Sequence, residues 1–190
     1  MELLEKAILE KGKVLSADVL KVGSFLNNQL DVKLLYALGE DIYKHYINKG
    51  VNKILTVEAS GIALASLTAL YFDCDVVFAK KSKTTNVDGG LYSAKCFSFT
   101  HKKSNELIVP KEFLSDKDNV LVIDDFLANG EAANALIDIV KQAGAHLVGV
   151  SVAIEKGFQG GGDKLRAEGI DLYSLAVIDE MSAGKIVFRK

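Results

Sequence analysis

The chain has 190 residues, of which 49% are hydrophobic and 25% charged, and its formal net charge at pH 7 is −2. This length suits one α/β domain and is too short for two full domains, while the apolar content excludes a wholly disordered chain. Because the net charge is slightly negative, no overall positive field is available to hold phosphate backbones, and we expect no nucleic-acid partner.

The first part of the chain predicts helices and strands in alternation. In chain order these are a helix at 2–10, a helix at 31–49, a strand at 53–57, a helix at about 62–71 and a strand at 76–79. Asp31 is placed to cap the second helix, and Gly50 follows its end. The first helix lacks the apolar core of a signal peptide, and no apolar run is long enough to cross a bilayer. With only two cysteines, Cys74 and Cys96, we expect a cytoplasmic protein with reduced thiols and no membrane partner.

The second part continues the alternation after a polar, lysine-rich segment at 80–90, which predicts a mobile loop. The remaining elements are a hairpin of 91–100 with 106–109, a strand at 120–123, a helix at 130–143, strands at 146–154 and 172–178, and a short strand at 186–188. This order predicts a parallel sheet with helices on both faces, in which ligands bind where strands end and helices begin. The glycines at 160–162 lack the spacing of a nucleotide-binding turn and predict a flexible loop.

The segment at 120–133 carries the clearest chemical pattern. An apolar strand leads to Asp124 and Asp125, a turn of small residues follows, and a helix then begins. The free amides and positive dipole end of that helix would hold a phosphate, and the carboxylates suit the hydroxyls of a ribose 5-phosphate. The alternative is that the two acids only end a strand and Asn129 caps the helix. The whole pattern favours the ligand site over that alternative.

This segment resembles the phosphoribosyl pyrophosphate (PRPP) motif of the type I phosphoribosyltransferase family. The resemblance implies that Asp124 and Asp125 are the catalytic acids and contact the ribose hydroxyls, and that Mg²⁺ is bound through PRPP without direct protein ligands. The residues implied to wrap the 5′-phosphate are Ala128, Asn129, Gly130, Glu131 and Ala132. The sequence departs from the family at Asn129, where Thr or Ser is more common. It also departs at Ala128, where the hypoxanthine–guanine enzymes carry an aspartate, so no general base is predicted in this loop.

Four separate segments resemble the xanthine-using branch of that family, namely 14–29, 57–62, 124–132 and 154–158. By this resemblance xanthine is contacted by Leu20, Asn27 and Lys156. It further implies that pyrophosphate is bound by Glu58, Ser60 and Gly61, and reached by Lys80 or Lys81. The family also implies a homodimer. In one arrangement, Lys80 or Lys81 would contact the pyrophosphate bound by the neighbouring subunit, across the dimer interface.

Each of these residues has a plainer alternative. The 58–61 turn could be an ordinary strand–helix connection with Ser60 as cap, and a lysine run is usually solvated surface. Leu20 could be core, and Asn27 a turn residue. Lys156 could form a surface ion pair with Glu155, which would contribute little. The chemical argument for Lys156 is that an ammonium only donates hydrogen bonds, so it matches the C2 carbonyl of xanthine and not the C2 amine of guanine.

Together, these patterns predict a single domain over 1–190 with an α/β, type I phosphoribosyltransferase-like parallel sheet flanked by helices. A small base-binding hood would come from about 1–30 and the C-terminal part. The expected activity is transfer of a phosphoribosyl group from PRPP to xanthine, with the 80–90 loop closing over the reacting centre. Two alternatives stay open: a PRPP-binding transcriptional regulator without catalysis, and a salvage enzyme for guanine, hypoxanthine or adenine.

Overall fold

The computed structural model describes residues 1–81, 90–98, 103–182 and 184–190. The helices are α1 (Glu2–Lys11), α2 (Val32–Tyr46), α3 (Gly61–Phe72), α4 (Glu131–Gln142) and α5 (Gly161–Ala167). The strands are β1 (Lys13–Val14), β2 (Leu20–Lys21), β3 (Lys53–Val57), β4 (Asp75–Ala79), β5 (Leu91–Ser98), β6 (Lys103–Pro110), β7 (Asn119–Leu127), β8 (His146–Lys156), β9 (Leu172–Ser182) and β10 (Lys185–Phe188). Among the described residues, no helix is both long enough and apolar enough to cross a membrane.

A six-stranded sheet in the order β10-β9-β8-β7-β3-β4 forms the centre of the molecule. Its strands pair in parallel except for β10, which runs antiparallel to β9 at one edge. The central strands β7 and β8 are buried along most of their length, as expected for strands covered on both faces. The predicted parallel sheet is therefore confirmed.

Helices cover both faces of this sheet, and each face has its own apolar core. On one face the buried side chains of α1, α2 and α3 pack on the strands; representative members are Ile8, Leu35, Leu64, Ile54 and Ile123. On the other face α4 and the β5–β6 hairpin pack on the alternate residues of the same strands; representative members are Leu136, Ile139, Leu107, Val122 and Val152. The period of two along each strand divides its apolar residues between the two cores.

Two small antiparallel pairs lie outside the main sheet. The pair β1–β2 precedes a single π-helical turn at Gly23–Asn27, which brings the predicted hood segment to the carboxyl ends of the parallel strands. The β5–β6 hairpin has Leu91 opposite Pro110. It is joined to the end of β4 by a bridge in which Lys80 and Ile108 exchange backbone hydrogen bonds of 3.0 Å.

Most predicted elements have nearly the predicted bounds. The strand at 53–57 agrees at both ends, and Asp31 caps α2 by accepting a hydrogen bond from Leu34 N at 3.2 Å. The chain leaves α2 through a short turn that ends at Gly50, whose φ of 69° is left-handed and favours glycine. Of the predicted loop at 80–90, residues 82–89 lie outside the described part of the chain, and so does the proposal that they close over the site.

Two local predictions, one about a strand end and one about a loop, are wrong. Strand β7 does not stop before the acidic pair but continues through Asp124 and Asp125 to Leu127, because β8 extends alongside and keeps supplying ladder partners. The glycines at 160–162 are not a flexible loop: Gly161 and Gly162 are buried in the first turn of α5. Their lack of side chains allows close packing against neighbouring backbone, a use of glycine that composition alone did not reveal.

Candidate active site

The acidic pair lies near the carboxyl end of the central strand β7 and is largely buried. Asp124 is 8% exposed and Asp125 7% exposed. The Asp124 carboxylate accepts a hydrogen bond of 2.9 Å from the backbone N–H of Asp125 and lies close enough to the Asp125 side chain to interact with its charge. Both acids therefore lie at the carboxyl ends of the parallel strands, where ligands bind in folds of this kind.

Burial and mutual repulsion make Asp124 an unusual acid. Loss of solvent, followed by the neighbouring charge of Asp125, raises the pKa of Asp124 well above its ordinary value. The positive charge of Lys81 acts in the opposite direction and lowers that pKa. Strongly raised pKa values of clustered acids in a cleft are typical of functional sites.

The turn between β3 and α3 meets the acidic pair directly. A Cβ on Gly61 would lie 2.9 Å from Asp124 Oδ1 and 2.3 Å from Thr56 Oγ1, so only glycine fits here without a shift. The turn contains a cis peptide bond between Glu58 and Ala59. Ser60 precedes α3 but makes no side-chain capping bond, so its predicted alternative role as a cap is wrong. The Ser60 hydroxyl is therefore not used to cap α3.

Glu58 connects this turn to the two predicted lysines. Its N–H donates to Ala79 O at 3.0 Å, and its Oε1 accepts from Lys81 N at 2.7 Å. Lys80 is bound through its backbone to β6, and the side chains of Lys80 and Lys81 are both exposed. The carboxylate of Glu58 thus fixes the backbone at the point where the lysines leave β4.

The loop at 128–132 joins β7 to α4 through a left-handed glycine. Gly130, with φ 90°, is the residue that precedes the helix, which begins at Glu131. The expectation that Asn129 caps the helix is wrong, since within this described loop no side chain caps α4. The first amides of a helix have no partner within it, and a positive dipole end adds to their attraction for an anion. Ala128 and Ala132 add no side chain that could obstruct a phosphate.

Asn27 reaches the acidic pair from the hood segment. Its Nδ2 donates to Asp125 Oδ2 at 3.0 Å, across 98 positions of sequence. Because the carboxylate can only accept, the amide is oriented with its Oδ1 as the free acceptor. Asn27 is therefore not only a turn residue: it links the predicted base-binding segment to the predicted ribose-binding acid. Leu20, on β2, is buried in the core below the hood.

Lys156, the last residue of β8, also points to the hood segment. Its Nζ donates to Asp18 O at 2.7 Å and lies 5.6 Å from the centre of the Phe126 ring. Burial lowers the pKa of Lys156 below its ordinary value. The alternative of an ion pair with Glu155 is wrong, because Glu155 is fully buried and is bound by Arg166 instead.

The structure thus brings the predicted residues of β3–α3, β7–α4, β8 and the hood segment to one edge of the sheet. Sequence reasoning missed Thr56, whose buried Oγ1 has no hydrogen-bond partner, and it missed Phe126 beside Lys156. It also missed Glu155, Arg166 and Gly161, which lie behind the 128–132 loop. Three consecutive glycines are a signal of close backbone approach that could have indicated the last of these.

The donor set fits a Mg²⁺ ion that arrives with a phosphorylated substrate. Within the described ranges no group of three or more His, Cys, Asp or Glu residues could hold a metal ion. Mg²⁺ often uses one or two carboxylates and completes its octahedron with water and substrate phosphates. Asp124 and Asp125 offer at most two carboxylates here, so the coordination of such an ion would come mainly from the phosphates of its substrate and from water.

Comparisons with known proteins point to the same chemistry. A family model described as a phosphoribosyl transferase domain matches residues 21–166. A curated relative from Clostridium novyi named xanthine phosphoribosyltransferase is 50% identical over 189 residues, covering 100% of both chains. One of the same name from Oceanobacillus iheyensis is 51% identical over 190 residues, covering 100% of this chain and 98% of its own.

Solved structures support the fold at lower identity. An adenine phosphoribosyltransferase from Rhodothermus marinus superposes with a TM-score of 0.74 at 18% identity, covering 93% of this chain and 98% of its own. An APRTase from Giardia lamblia gives 0.76 at 20% identity, covering 92% and 96%. The type I phosphoribosyltransferase fold expected from the sequence is confirmed. From the family match, the full-length relatives and the shared fold, it follows that the chain belongs to the phosphoribosyl transferase domain family.

Proposed function

We propose that this protein transfers the 5-phosphoribosyl group of PRPP to xanthine, giving xanthosine 5′-monophosphate and pyrophosphate in purine salvage. The observation that carries the proposal is identity of 50–51% over essentially the whole length of relatives named xanthine phosphoribosyltransferase. The site supports it with an acidic pair, two loops with free amides and a lysine, all at one sheet edge.

In the reaction, the bond between ribose C1 and the pyrophosphate oxygen breaks, and the leaving pyrophosphate keeps the electron pair. A ring nitrogen of the base forms the new bond to C1 and loses its proton. Positive charge develops on the ribose, as in other glycosyl transfers. Asp124 and Asp125 contact the ribose hydroxyls, and their negative field stabilises that charge. The amides of 128–132 hold the 5′-phosphate and thereby fix C1.

The pyrophosphate is received on the opposite side of the acids. The amides of Ser60 and Gly61 would bind it, while the Glu58 N–H is used on Ala79 O, and Lys80 and Lys81 supply positive charge from the adjacent strand end. Mg²⁺ bound through PRPP would neutralise part of the charge on the leaving group. The Glu58 carboxylate acts indirectly, since it holds the Lys81 backbone at 2.7 Å.

The base is read by donors and acceptors that match xanthine. Lys156 has three N–H donors and uses one on Asp18 O, so it can donate to the C2 carbonyl of the base. Asn27 keeps Oδ1 free to accept from a ring N–H of the base, because its Nδ2 is bound to Asp125. The Phe126 ring lies beside Lys156 and offers apolar surface for the base, whereas Leu20, the third proposed contact, is buried on β2 in this structure.

The activity is tested by pyrophosphate release from PRPP and Mg²⁺ with xanthine, guanine, hypoxanthine and adenine in turn. Release with xanthine well above the other bases is expected. A different preferred base would keep the reaction and overturn the roles of Lys156 and Asn27. PRPP binding without release for any base would overturn the activity and favour a PRPP-binding regulator.

The proposal includes a homodimer, in which the Lys81 side chain, exposed at the end of β4, contacts pyrophosphate in its own site or in the neighbouring one. Mixing Lys81→Ala with Asp124→Asn tests this directly. If the two residues of one site come from different chains, a mixed dimer regains one intact site, and activity returns on mixing. If activity stays absent although a tagged Lys81→Ala chain co-purifies with the untagged Asp124→Asn chain, Lys81 acts within its own chain.

A further inference from the structure

The glycines at 160–162 form a direct backbone contact with the loop at 128–132. Gly161 N–H donates to Ala128 O at 3.2 Å. A Cβ on Gly161 would lie 2.2 Å from that oxygen, 2.5 Å from the carbonyl carbon of Asn129 and 2.6 Å from Gly130 N. With no side chain between the two backbones, any shift of α5 is transmitted to the loop.

Helix α5 is too short and too poorly capped to be stable without contacts to the rest of the protein. It has seven residues, begins with two glycines and has no side-chain cap. Helices this short are marginal in isolation, and glycine weakens them further. Its place behind the loop must therefore come from contacts with the sheet, of which the buried Leu165 supplies one.

The stronger contact is an ion pair between the buried Glu155 and the partly exposed Arg166. Glu155, on β8 opposite Leu127 of β7, has no exposed surface. Arg166 Nη1 and Nη2 donate to its two oxygens at 2.8 and 2.6 Å, and Ser174 Oγ donates at 2.5 Å. A Cβ on Gly162 would lie 2.0 Å from Glu155 Oε1, so the carboxylate also sits against the first turn of α5. The two parallel hydrogen bonds from the planar guanidinium fix the orientation of Arg166 relative to the Glu155 carboxylate, and the burial of that carboxylate strengthens them.

We propose that Arg166 is a positioning residue for the phosphate loop. Its pair with Glu155 holds α5 on the sheet, and α5 in turn holds Gly161 against Ala128, which keeps the loop amides arranged for the 5′-phosphate. The inference rests on the proposed function of the 128–132 loop. It assigns Arg166 to one end of PRPP only, because the pyrophosphate turn at 58–61 belongs to a different strand connection.

The test measures the two ends of PRPP separately, by calorimetric titration of ribose 5-phosphate and of pyrophosphate. In Arg166→Gln we expect the affinity for ribose 5-phosphate to fall about tenfold, since displacing a positioned group can cost this much or more. Pyrophosphate affinity should change by less than about twofold, because distant sites rarely couple. Arg166→Lys keeps the charge but loses the bidentate geometry, so its loss should be intermediate. In turnover, KM for PRPP should rise and KM for xanthine should not.

Arg189→Gln is the matched control. Arg189 also contacts α5, through Asp163 at 3.3 Å, but its main partner is Asp179 and it does not touch Glu155. It should bind ribose 5-phosphate like the parent chain. If Arg166→Gln does not fold, Arg166→Lys replaces it: this variant keeps a positive charge beside Glu155, loses the two hydrogen bonds of the guanidinium, and should show a smaller loss with the same selectivity.

Equal losses for both ligands, or unchanged ribose 5-phosphate binding in folded Arg166→Gln, would overturn the proposal. A selective loss in Arg189→Gln would overturn it as well. If the parent chain binds ribose 5-phosphate but transfers nothing to xanthine, the proposed function fails while these titrations still decide the role of Arg166.

Discussion

Carboxylates at the two ends of the parallel strands have opposite electrostatic environments. Near the carboxyl end of β7, Asp124 and Asp125 are buried together, and no salt bridge within the described ranges joins them to a cation. At the amino end of β9, Asp171 is bound by His45 Nε2 at 3.0 Å and by Lys49 Nζ. The His45 ring also stacks on Tyr173, whose hydroxyl donates to Asp41 at 2.8 Å.

The pKa values of the two acids differ accordingly. Burial, followed by the charge of Asp125, raises the pKa of Asp124. Burial acts in the same direction on Asp171, but the hydrogen bonds from Lys49 and His45 outweigh it and lower the pKa of Asp171. One end of the sheet therefore uses its acid for stability, whereas the other keeps acids that form no ion pair within the described residues, which is a cost to stability that a ligand-binding site tolerates.

The largest expected effect comes from removing the charge at the carboxyl end. Asp124→Asn should lower kcat/KM by about two orders of magnitude, as loss of one group that stabilises transition-state charge often does. The same change should stabilise the free protein at pH 7 by about 1 kcal/mol, because a buried carboxylate without a cation is removed. That gain is about 2–4 °C in Tm for a chain of this size.

The stability gain in Asp124→Asn should also depend on pH. A raised folded-state pKa contributes stability below the unfolded value, and this contribution is lost as pH rises through the folded pKa. The difference in Tm between the variant and the parent chain should therefore shrink as pH falls toward 4. A variant less stable than the parent at pH 7 would contradict the contrast between the two ends.

The contrast can be sharpened with Lys156, a cation at the carboxyl end that does not neutralise the acids. Its Nζ is bound to Asp18 O, unlike Lys49 at the other end, which is bound to a carboxylate. Lys156→Met should lower kcat/KM for xanthine about tenfold and change activity with guanine little, since the lost donor matches only the C2 carbonyl. Lys185→Met, at an exposed lysine on β10, is the control and should change neither activity. An equal loss for both bases would show that Lys156 does not read C2.

At the amino end, Asp171→Asn is expected to have a smaller effect of opposite sign to Asp124→Asn. It should lower stability by roughly 0.5–1 kcal/mol, because Asp171 and its partners are partly exposed and water screens the pair. Activity should not change, since this cluster lies at the far edge of the sheet. Thermal unfolding and the standard assay check both points, and a loss of activity in the folded variant would contradict the separation of the two ends.

The smallest expected effect is the pH dependence of the stability that Asp171→Asn loses. A lowered folded-state pKa contributes stability above the unfolded value and loses it as pH falls through the folded pKa. The difference between Asp171→Asn and the parent chain should therefore be constant from neutral pH to about 4 and disappear below it. A difference that persists undiminished at pH 3 would assign the stability to packing rather than to charge.

Local patterns were enough for most of the fold. The strand at 53–57 is apolar and is followed by a turn, and the Asp31 cap and the glycine after the helix are short-range signals; each lies where it was predicted. Strand ends were less predictable. Whether β7 continues through Asp124 depends on how far its neighbour β8 extends beside it, which no window of sequence around Asp124 contains.

For the site, the sequence by itself determined the segments: an apolar strand, two acids, a small-residue loop and a helix form a local pattern whose chemistry can be recognised before folding. Only the tertiary structure decided which side chains meet. Asn27 and Asp125 are 98 positions apart, and Lys156 lies 138 positions from the Asp18 carbonyl that binds it. Glu155 adjoins Lys156 in sequence but faces Arg166 on the other side of the strand, because successive residues of a strand point to opposite faces. Contacts of this kind depend on strand order and helix packing, and these are properties of the whole chain.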